Sequence, residues 1–165
     1  MSSLVDGQEI TLRHLAVRDL ARIQELYLGL LATQKDELTA MIDNPVRLSW
    51  EMRRLRQQLL ADQRYVCFVA EFGGTILGYC AGVIENQAPI FKVSTYCAVN
   101  EIFVEERFRR RGIGRSLMML LFEQIRSMGI HWVNVSLLGK SLDSKLFLEK
   151  LGFNQGSVEM RMALP

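Results

Sequence analysis

The middle of the chain carries three runs of β-branched and aromatic residues in close succession, at residues 64–72, 75–84 and 93–104. Residues of this kind favour β-strands. Gly73-Gly74 stands between the first two runs, and a glycine pair between two strands is a strong signal for a tight hairpin turn. The centre of the chain therefore predicts a sheet that contains an antiparallel hairpin.

The segments on either side of these runs alternate between strand and helix periodicity. Residues 8–15 alternate as a strand does, and Asp19 can cap a following helix that has apolar residues at helical spacing. Four further elements are predicted besides the last strand: a helix at 46–61, a helix from Gly112 to about Ser127 ending at Gly129, a strand at 131–137 and a helix at 143–150 ending at Gly152. Residues 157–164 predict a last strand. The order β-α-α-β-β-β-α-β-α-β predicts an α/β domain with one mixed sheet and helices on both faces.

Composition excludes several classes of protein. A chain of 165 residues predicts about one domain. With 49% apolar and 23% charged residues, wholesale disorder is not expected, and a net charge of +2 argues against nucleic acid as a partner. The first residues form no secretory signal, and no apolar run reaches the roughly 20 residues that cross a membrane. We therefore expect a cytoplasmic protein with no membrane partner.

The cysteines do not predict a metal site. Cys67, Cys80 and Cys97 form no Cys-x-x-Cys pair and have no nearby histidine at the spacing of zinc ligands. Each lies in an apolar stretch, so we expect reduced, buried side chains, with a catalytic thiol as the alternative.

The stretch of residues 100–117 predicts a site for an anion. A strand ends near Val104, a basic loop follows, and a helix begins at Gly112-Ile113-Gly114. The first N–H groups of a helix have no intrahelical acceptor, and the helix dipole is positive there. The two glycines let a diphosphate-like group approach these N–H groups, and the surrounding arginines add charge. The alternative is a solvated arginine turn. Neither a P-loop nor a dinucleotide fingerprint fits, since Leu117 stands where the latter needs glycine.

These residues resemble the GCN5-related N-acetyltransferases, the GNAT family. The family signature Arg/Gln-x-x-Gly-x-Gly/Ala is matched by Arg109-Arg-Arg-Gly112-Ile-Gly114, and Glu101-Ile-Phe-Val104 looks like the end of the family's fourth strand. Residues 147–153, Phe-Leu-Glu-Lys-Leu-Gly-Phe, resemble the second family motif. The resemblance implies a single N-acetyltransferase domain over residues 1–165, with a core at about 10–164 and a mostly antiparallel sheet.

The resemblance implies that acetyl-CoA is the cosubstrate, without a metal, and that its acetyl group passes directly to a primary amine of a small molecule. Two alternatives remain open. The acceptor could be a protein N-terminus or lysine, or the chain could be a non-catalytic acyl-CoA-binding module. A homodimer is expected only at the level of the family.

The resemblance also implies which residues bind the cosubstrate. Acetyl-CoA would lie where the family's fourth and fifth strands splay apart, with its pantetheine arm along the backbone of Ile102, Phe103 and Val104. One N–H there would point at the thioester oxygen. Ser141 would contact pantetheine or cap the helix that follows. The pyrophosphate would be held by Arg109, Arg110, Arg111, Gly112, Ile113, Gly114, Arg115 and Ser116.

Glu101 is the candidate catalytic base, acting on the amine directly or through water. The alternative is an exposed or salt-bridged carboxylate, with Glu85, Glu105 and Glu106 as weaker candidates for the base. The second family motif usually offers a tyrosine that protonates the departing sulfur, and Leu148 stands at that position. Tyr96 or Tyr79 could replace it from a neighbouring strand, although we expect each to be part of the buried core.

Overall fold

The computed structural model describes residues 2–5, 8–32, 60–87, 93–137 and 142–156. In that part of the chain, six strands form one sheet in sequence order, β1 to β5 antiparallel and β6 parallel to β5. The strands are β1 (Ser2–Val5), β2 (Gln8–His14), β3 (Tyr65–Phe72), β4 (Thr75–Asn86), β5 (Thr95–Val104) and β6 (Val133–Val135). The α-helices whose bounds the described ranges give are α1 (Leu20–Ala32), α2 (Ile113–Ser127) and α3 (Leu142–Lys150). Short 3-10 turns occupy Val17–Asp19 and Glu106–Phe108.

The glycine pair forms the predicted hairpin. Phe72 of β3 pairs with Thr75 of β4, and the two turn residues Gly73 and Gly74 have φ angles of 54° and 80°. Two consecutive residues with positive φ make a turn whose twist matches that of the flanking strands. The predicted antiparallel hairpin is confirmed.

Helices cover both faces of the sheet, as the element order predicts. α1 packs Ile23 and Leu26 against one face, where Tyr79 of β4 is completely buried. α2 packs Leu117 and Leu121 against the other face. Because neighbouring residues of a strand point to opposite faces, the two helices bury alternate side chains of the same strands.

Strands β4 and β5 approach each other closely at two glycines. A Cβ atom on Gly82 would lie 2.7 Å from Sγ of Cys97, and one on Gly78 would lie 2.6 Å from the carbonyl oxygen of Phe103. Real Cβ contacts are longer than this, so both positions need a residue without a side chain.

The structure differs from the sequence prediction at several elements. β1 was not expected, and it adds an edge strand that pairs Ser2 with Thr11. The strand predicted at 131–137 is shorter, with only Val133–Val135 paired. Of the helix predicted at 46–61, the structure describes residues 60 and 61, which are helical. The strand predicted at 157–164 lies outside the described residues.

Asp19 directly precedes Leu20, the first residue of α1, but its carboxylate bonds backward along the chain. It lies in the 3-10 turn before the helix, and its carboxylate accepts a hydrogen bond from the N–H of Ala16 at 2.8 Å. It also accepts two bonds from the Arg13 guanidinium, at 2.6 and 2.9 Å, while Nε of Arg13 donates to Glu71 of β3 at 2.7 Å. The start of α1 is thereby tied to β2 and β3, and the hydrogen bonds from Arg13 lower the pKa of Asp19.

We expect the substitution Asp19→Asn to lower the free energy of unfolding by about 1.5–3 kcal/mol at pH 7, the usual range for hydrogen bonds to a charged group. Because the folded state lowers the pKa of Asp19, this stabilisation is present at neutral pH. It is lost as the pH falls below about 4, through the pKa of the folded state. Urea unfolding of both proteins at pH 7 and pH 3 measures the effect. An equal deficit at both pH values would contradict the ion pair.

Candidate functional site

β5 extends beyond its partner β6. The parallel pairing joins Cys97 to Val133 and ends where Val99 meets Val135, whereas β5 continues to Val104. Within the described part of the chain, residues 100–104 therefore pair with β4 alone. An open strand edge faces the side from which β6 has separated, and such an edge can accept a further extended chain.

The hydrogen-bond pattern shows which backbone groups line this edge. The N–H of Glu105 donates to the carbonyl of Leu77 at 2.9 Å, so Glu105 bonds toward β4. In an antiparallel pair this direction alternates along the strand. The backbone groups of Phe103 therefore point to β4, and those of Ile102 and Val104 point to the open edge.

A β-bulge lies at the beginning of the open edge. Ala81 pairs with Glu101 and Gly82 pairs with Val99, so Asn100 is the extra residue in β5. A bulge bends its strand and changes the face to which the following side chains point. Cys97 and Val99 belong to the core beneath α2, whereas Phe103 belongs to the core beneath α1. Glu101 shares the α1 face with Phe103, two residues away.

The Glu101 carboxylate is half-buried and accepts a hydrogen bond from the hydroxyl of Tyr79 at 2.6 Å. The other candidate bases have different surroundings. Glu85 is exposed at the far end of β4 and accepts a bond from the hydroxyl of Tyr96, which raises the pKa of Tyr96. Glu105 forms ion pairs with Arg22 and Arg107 at 3.1 and 3.3 Å, and Glu106 is exposed.

The loop after β5 has the backbone geometry of an anion cradle. Arg110 and Gly112 both have positive φ angles, 63° and 83°, and Gly112 stands at the start of α2. The first helical hydrogen bond runs from the N–H of Ser116 to the carbonyl of Gly112 at 2.9 Å. The N–H groups at positions 113–115 come before it, so they have no acceptor within the helix.

The arginines of the loop contact the protein around it. Arg109 donates from Nε to the carbonyl of Val104 at 2.9 Å, and its guanidinium lies 5.5 Å from the centre of the Phe103 ring. Arg110 forms an exposed ion pair with Asp143 of α3 at 2.7 Å. The guanidinium of Arg111 lies 5.8 Å from the centre of the Phe108 ring. Arg109 and Arg110 thus brace the loop against β5 and α3.

The second motif packs α3 against this loop. The ring of Phe147 lies 3.5 Å from the place where a Cβ on Gly114 would stand. Gly152, with φ of 97°, ends α3 in a Schellman motif, in which the N–H of Phe153 donates to the carbonyl of Leu148 at 3.1 Å. Leu148 is 6% exposed and offers no proton at the position of the family's tyrosine. Ser141 lies outside the described residues.

Three features of this site are not predicted by the sequence: the bond from the Tyr79 hydroxyl to Glu101, the ion pair of Asp143 with Arg110, and the bulge at Asn100. None of these has a local signal, because each depends on the register between strands or on residues far apart in the chain. In the first contact, 22 positions separate the two residues.

All three cysteines are buried and free, as predicted. Burial raises the pKa of the Cys80 thiol well above its usual value and that of Cys97 to about 11. Since the thiolate is the nucleophile, this disfavours a catalytic role for either. In the described ranges, no three potential metal ligands among His, Cys, Asp and Glu come together.

The helices described here are too short or too polar to cross a membrane.

Comparisons with known proteins identify a family and a fold for this chain. The family model described as the Acetyltransferase (GNAT) family matches residues 30–153. A glucosamine 6-phosphate N-acetyltransferase of Arabidopsis thaliana is 31% identical over 99 residues, which are 60% of this chain and 64% of that protein. The match thus spans less than two thirds of the relative's length.

Solved structures share the fold at low sequence identity. A predicted acetyltransferase from Clostridium acetobutylicum, crystallised with acetyl-CoA, has a TM-score of 0.76 at 17% identity, covering 93% of this chain and 96% of that one. An aminoglycoside N-acetyltransferase in complex with CoA has a TM-score of 0.75 at 16% identity, covering 98% and 99%. Because the family model matches most of this chain, residues 30–153, the chain belongs to the GNAT acetyltransferase family.

Proposed function

We propose that the protein is an acetyl-CoA-dependent N-acetyltransferase that transfers the acetyl group directly to a primary amine of a small molecule. The observation that carries this proposal is the open edge of β5 at residues 100–104. This edge includes Glu101, and the loop that follows it leads to the start of α2. One short segment thus carries three features that the reaction needs. The strand edge suits the pantetheine arm of acetyl-CoA, the anion cradle suits its pyrophosphate, and the carboxylate suits the amine.

The cosubstrate would occupy both parts of the segment. Ile102 offers its N–H and carbonyl groups to the amides of the pantetheine arm, as an edge strand does to an added strand. Val104 offers its N–H group, since its carbonyl accepts the bond from Arg109. The backbone of Phe103 bonds toward β4, so we expect the contacts from its two neighbours. The N–H groups at positions 113–115 would hold the pyrophosphate at the positive end of the α2 dipole. The CoA-bound neighbours with this fold support acetyl-CoA as the cosubstrate.

The reaction needs a base, because a protonated amine has no lone pair with which to attack. Glu101 takes the proton, directly or through water, while the C–N bond forms and the C–S bond of the thioester breaks. The sulfur leaves as a thiolate and takes its proton from solvent. A free thiol has a pKa of about 8.5, so departure without an acid is feasible where N–H groups stabilise the charge. Leu148 therefore does not prevent turnover.

The names of the relatives support a small-molecule acceptor. Glucosamine 6-phosphate and aminoglycosides both carry primary amines on sugar rings. We propose an acceptor of this amino-sugar class.

A second candidate function rests on Leu148. Its buried, apolar side chain at the family's proton-donor position would also suit a module that binds acyl-CoA without turnover. The presence or absence of acetyl transfer separates the two.

We expect the wild type to bind acetyl-CoA with one-to-one stoichiometry in isothermal titration calorimetry, and Gly112→Glu to weaken binding at least about tenfold. The added carboxylate would repel the pyrophosphate at the cradle, and its backbone would be strained at a φ of 83°. Gly129→Glu is the matched control, since Gly129 has a φ of 78° at the opposite end of α2. Equal affinities of both variants and the wild type would contradict the cradle.

We expect Glu101→Gln to keep acetyl-CoA affinity and to slow acetyl transfer to glucosamine 6-phosphate by about 10²–10⁴-fold, the usual contribution of a general base. Thiol release measures the rate. Glu85→Gln is the control, because Glu85 accepts the same kind of tyrosine bond at the other end of the strand pair. Unchanged transfer by Glu101→Gln at every pH tested would mean that Glu101 is not the base.

A further inference from the structure

Two tyrosine–glutamate pairs bridge β4 and β5, and only one lies at the open edge. The hydroxyl of Tyr79 donates to Oε2 of Glu101, and the hydroxyl of Tyr96 donates to Oε2 of Glu85, both at 2.6 Å. The second pair is exposed where β4 ends and β5 begins. The first combines a half-buried carboxylate with a tyrosine that has no exposed surface.

Packing immobilises the Tyr79 ring. It lies in the core cluster that includes Ile23 and Leu26 of α1 and Val69 of β3, each 3% exposed or less. A side chain enclosed in this way keeps one rotamer, because neighbouring atoms fill the space that other rotamers need. The hydroxyl oxygen is therefore a fixed point on the α1 face of the sheet.

The bulge brings Glu101 to this fixed point. Tyr79 pairs with Phe103 and Ala81 pairs with Glu101, so Tyr79 and Glu101 are diagonal neighbours. Diagonal neighbours on one face lie within reach of long side chains. Without the extra residue Asn100, Glu101 would point to the α2 face, away from the hydroxyl.

We infer that Tyr79 is a positioning residue that holds the Glu101 carboxylate at the open edge of β5. The inference rests on the proposed role of Glu101 as the base. A glutamate has three side-chain torsions, and a charge-assisted hydrogen bond to one oxygen restricts them. An ionised carboxylate has about four acceptor sites, so one hydrogen bond to a hydroxyl does not prevent it from taking a proton. The bound hydroxyl thus orients the base, and its own proton is held by Glu101 rather than directed to the leaving sulfur.

Kinetics of the conservative variant test the inference. Tyr79→Phe keeps the ring and removes only the hydroxyl. With glucosamine 6-phosphate as the acceptor, we expect kcat to fall about tenfold, the worth of one hydrogen bond to a charged group, while KM for acetyl-CoA stays close to wild type and the Tm falls by a few degrees only. Tyr96→Phe is the matched control, and it should keep the wild-type kcat.

A double variant separates positioning from a structural role. If Tyr79 acts through Glu101, adding Tyr79→Phe to Glu101→Gln should reduce kcat no further. A further tenfold loss in the double variant would overturn the inference, because the hydroxyl would then act independently of the carboxylate. A kcat unchanged in Tyr79→Phe would overturn it as well.

A spectroscopic measurement tests the contact without any acceptor. The chain has four tyrosines, so a protein labelled with ¹³C at tyrosine Cζ gives four resonances that tyrosine variants can assign. Glu101→Gln should move the Tyr79 resonance, and Glu85→Gln should move that of Tyr96. A Tyr79 resonance that Glu101→Gln leaves in place would overturn the inference. Failure of the wild type to acetylate glucosamine 6-phosphate counts against the proposed function. In that case the shift of the Tyr79 resonance in Glu101→Gln still shows whether Tyr79 binds Glu101.

Discussion

The site depends on a single extra residue in β5, because the bulge at Asn100 changes the side of the sheet to which the rest of the strand presents its side chains. Before the bulge, Cys97 and Val99 pack beneath α2, and after it Phe103 packs beneath α1. A strand without the bulge would bury Glu101 under α2 and move Ile102 to the opposite face. The bulge also marks the place beyond which β6 no longer pairs with β5. One local irregularity thus coincides with the start of the open edge and determines the face on which the Glu101 carboxylate lies.

The cradle is held in place by its neighbours rather than by its own sequence alone. Arg109 bonds to the end of β5, Arg110 pairs with α3, and the ring of Phe147 packs over Gly114. These contacts join the end of one strand, the start of one helix and the side of another. These contacts thereby fix the orientation of the N–H groups in the first turn of α2. A binding site for a diphosphate requires such fixed donors. Arg109 and Arg110 therefore hold the loop against its neighbours, in addition to adding positive charge.

Local signals account for what the sequence could predict. Gly73-Gly74 predicts its hairpin, and Gly129 and Gly152 predict the ends of two helices, because each glycine adopts a backbone angle that other residues avoid. Motif spacing predicts Gly112 at the start of α2 in the same way. The core of the fold was therefore readable from residues within a few positions of one another.

Contacts between distant residues could not be read in that way. The Asn100 bulge is a property of the register between two strands, and the low strand preference of asparagine does not by itself predict where that register shifts. Asp19 has the residue type of a helix cap, yet Arg13 and the turn at Ala16 determine where its carboxylate lies. The pairs Tyr79–Glu101 and Arg110–Asp143 exist only once the sheet and α3 are assembled.

The close approach of Gly82 to Cys97 has a consequence for how this strand pair can evolve. The sulfur occupies the volume that a side chain at position 82 would need, since a Cβ there would stand 2.7 Å from it. The two positions therefore share one small volume between them. A relative with alanine at position 82 would need a smaller residue at position 97, and an ancestor that enlarged either one first would have passed through a less stable intermediate. We therefore expect the residues at positions 82 and 97 to change together among relatives of this chain.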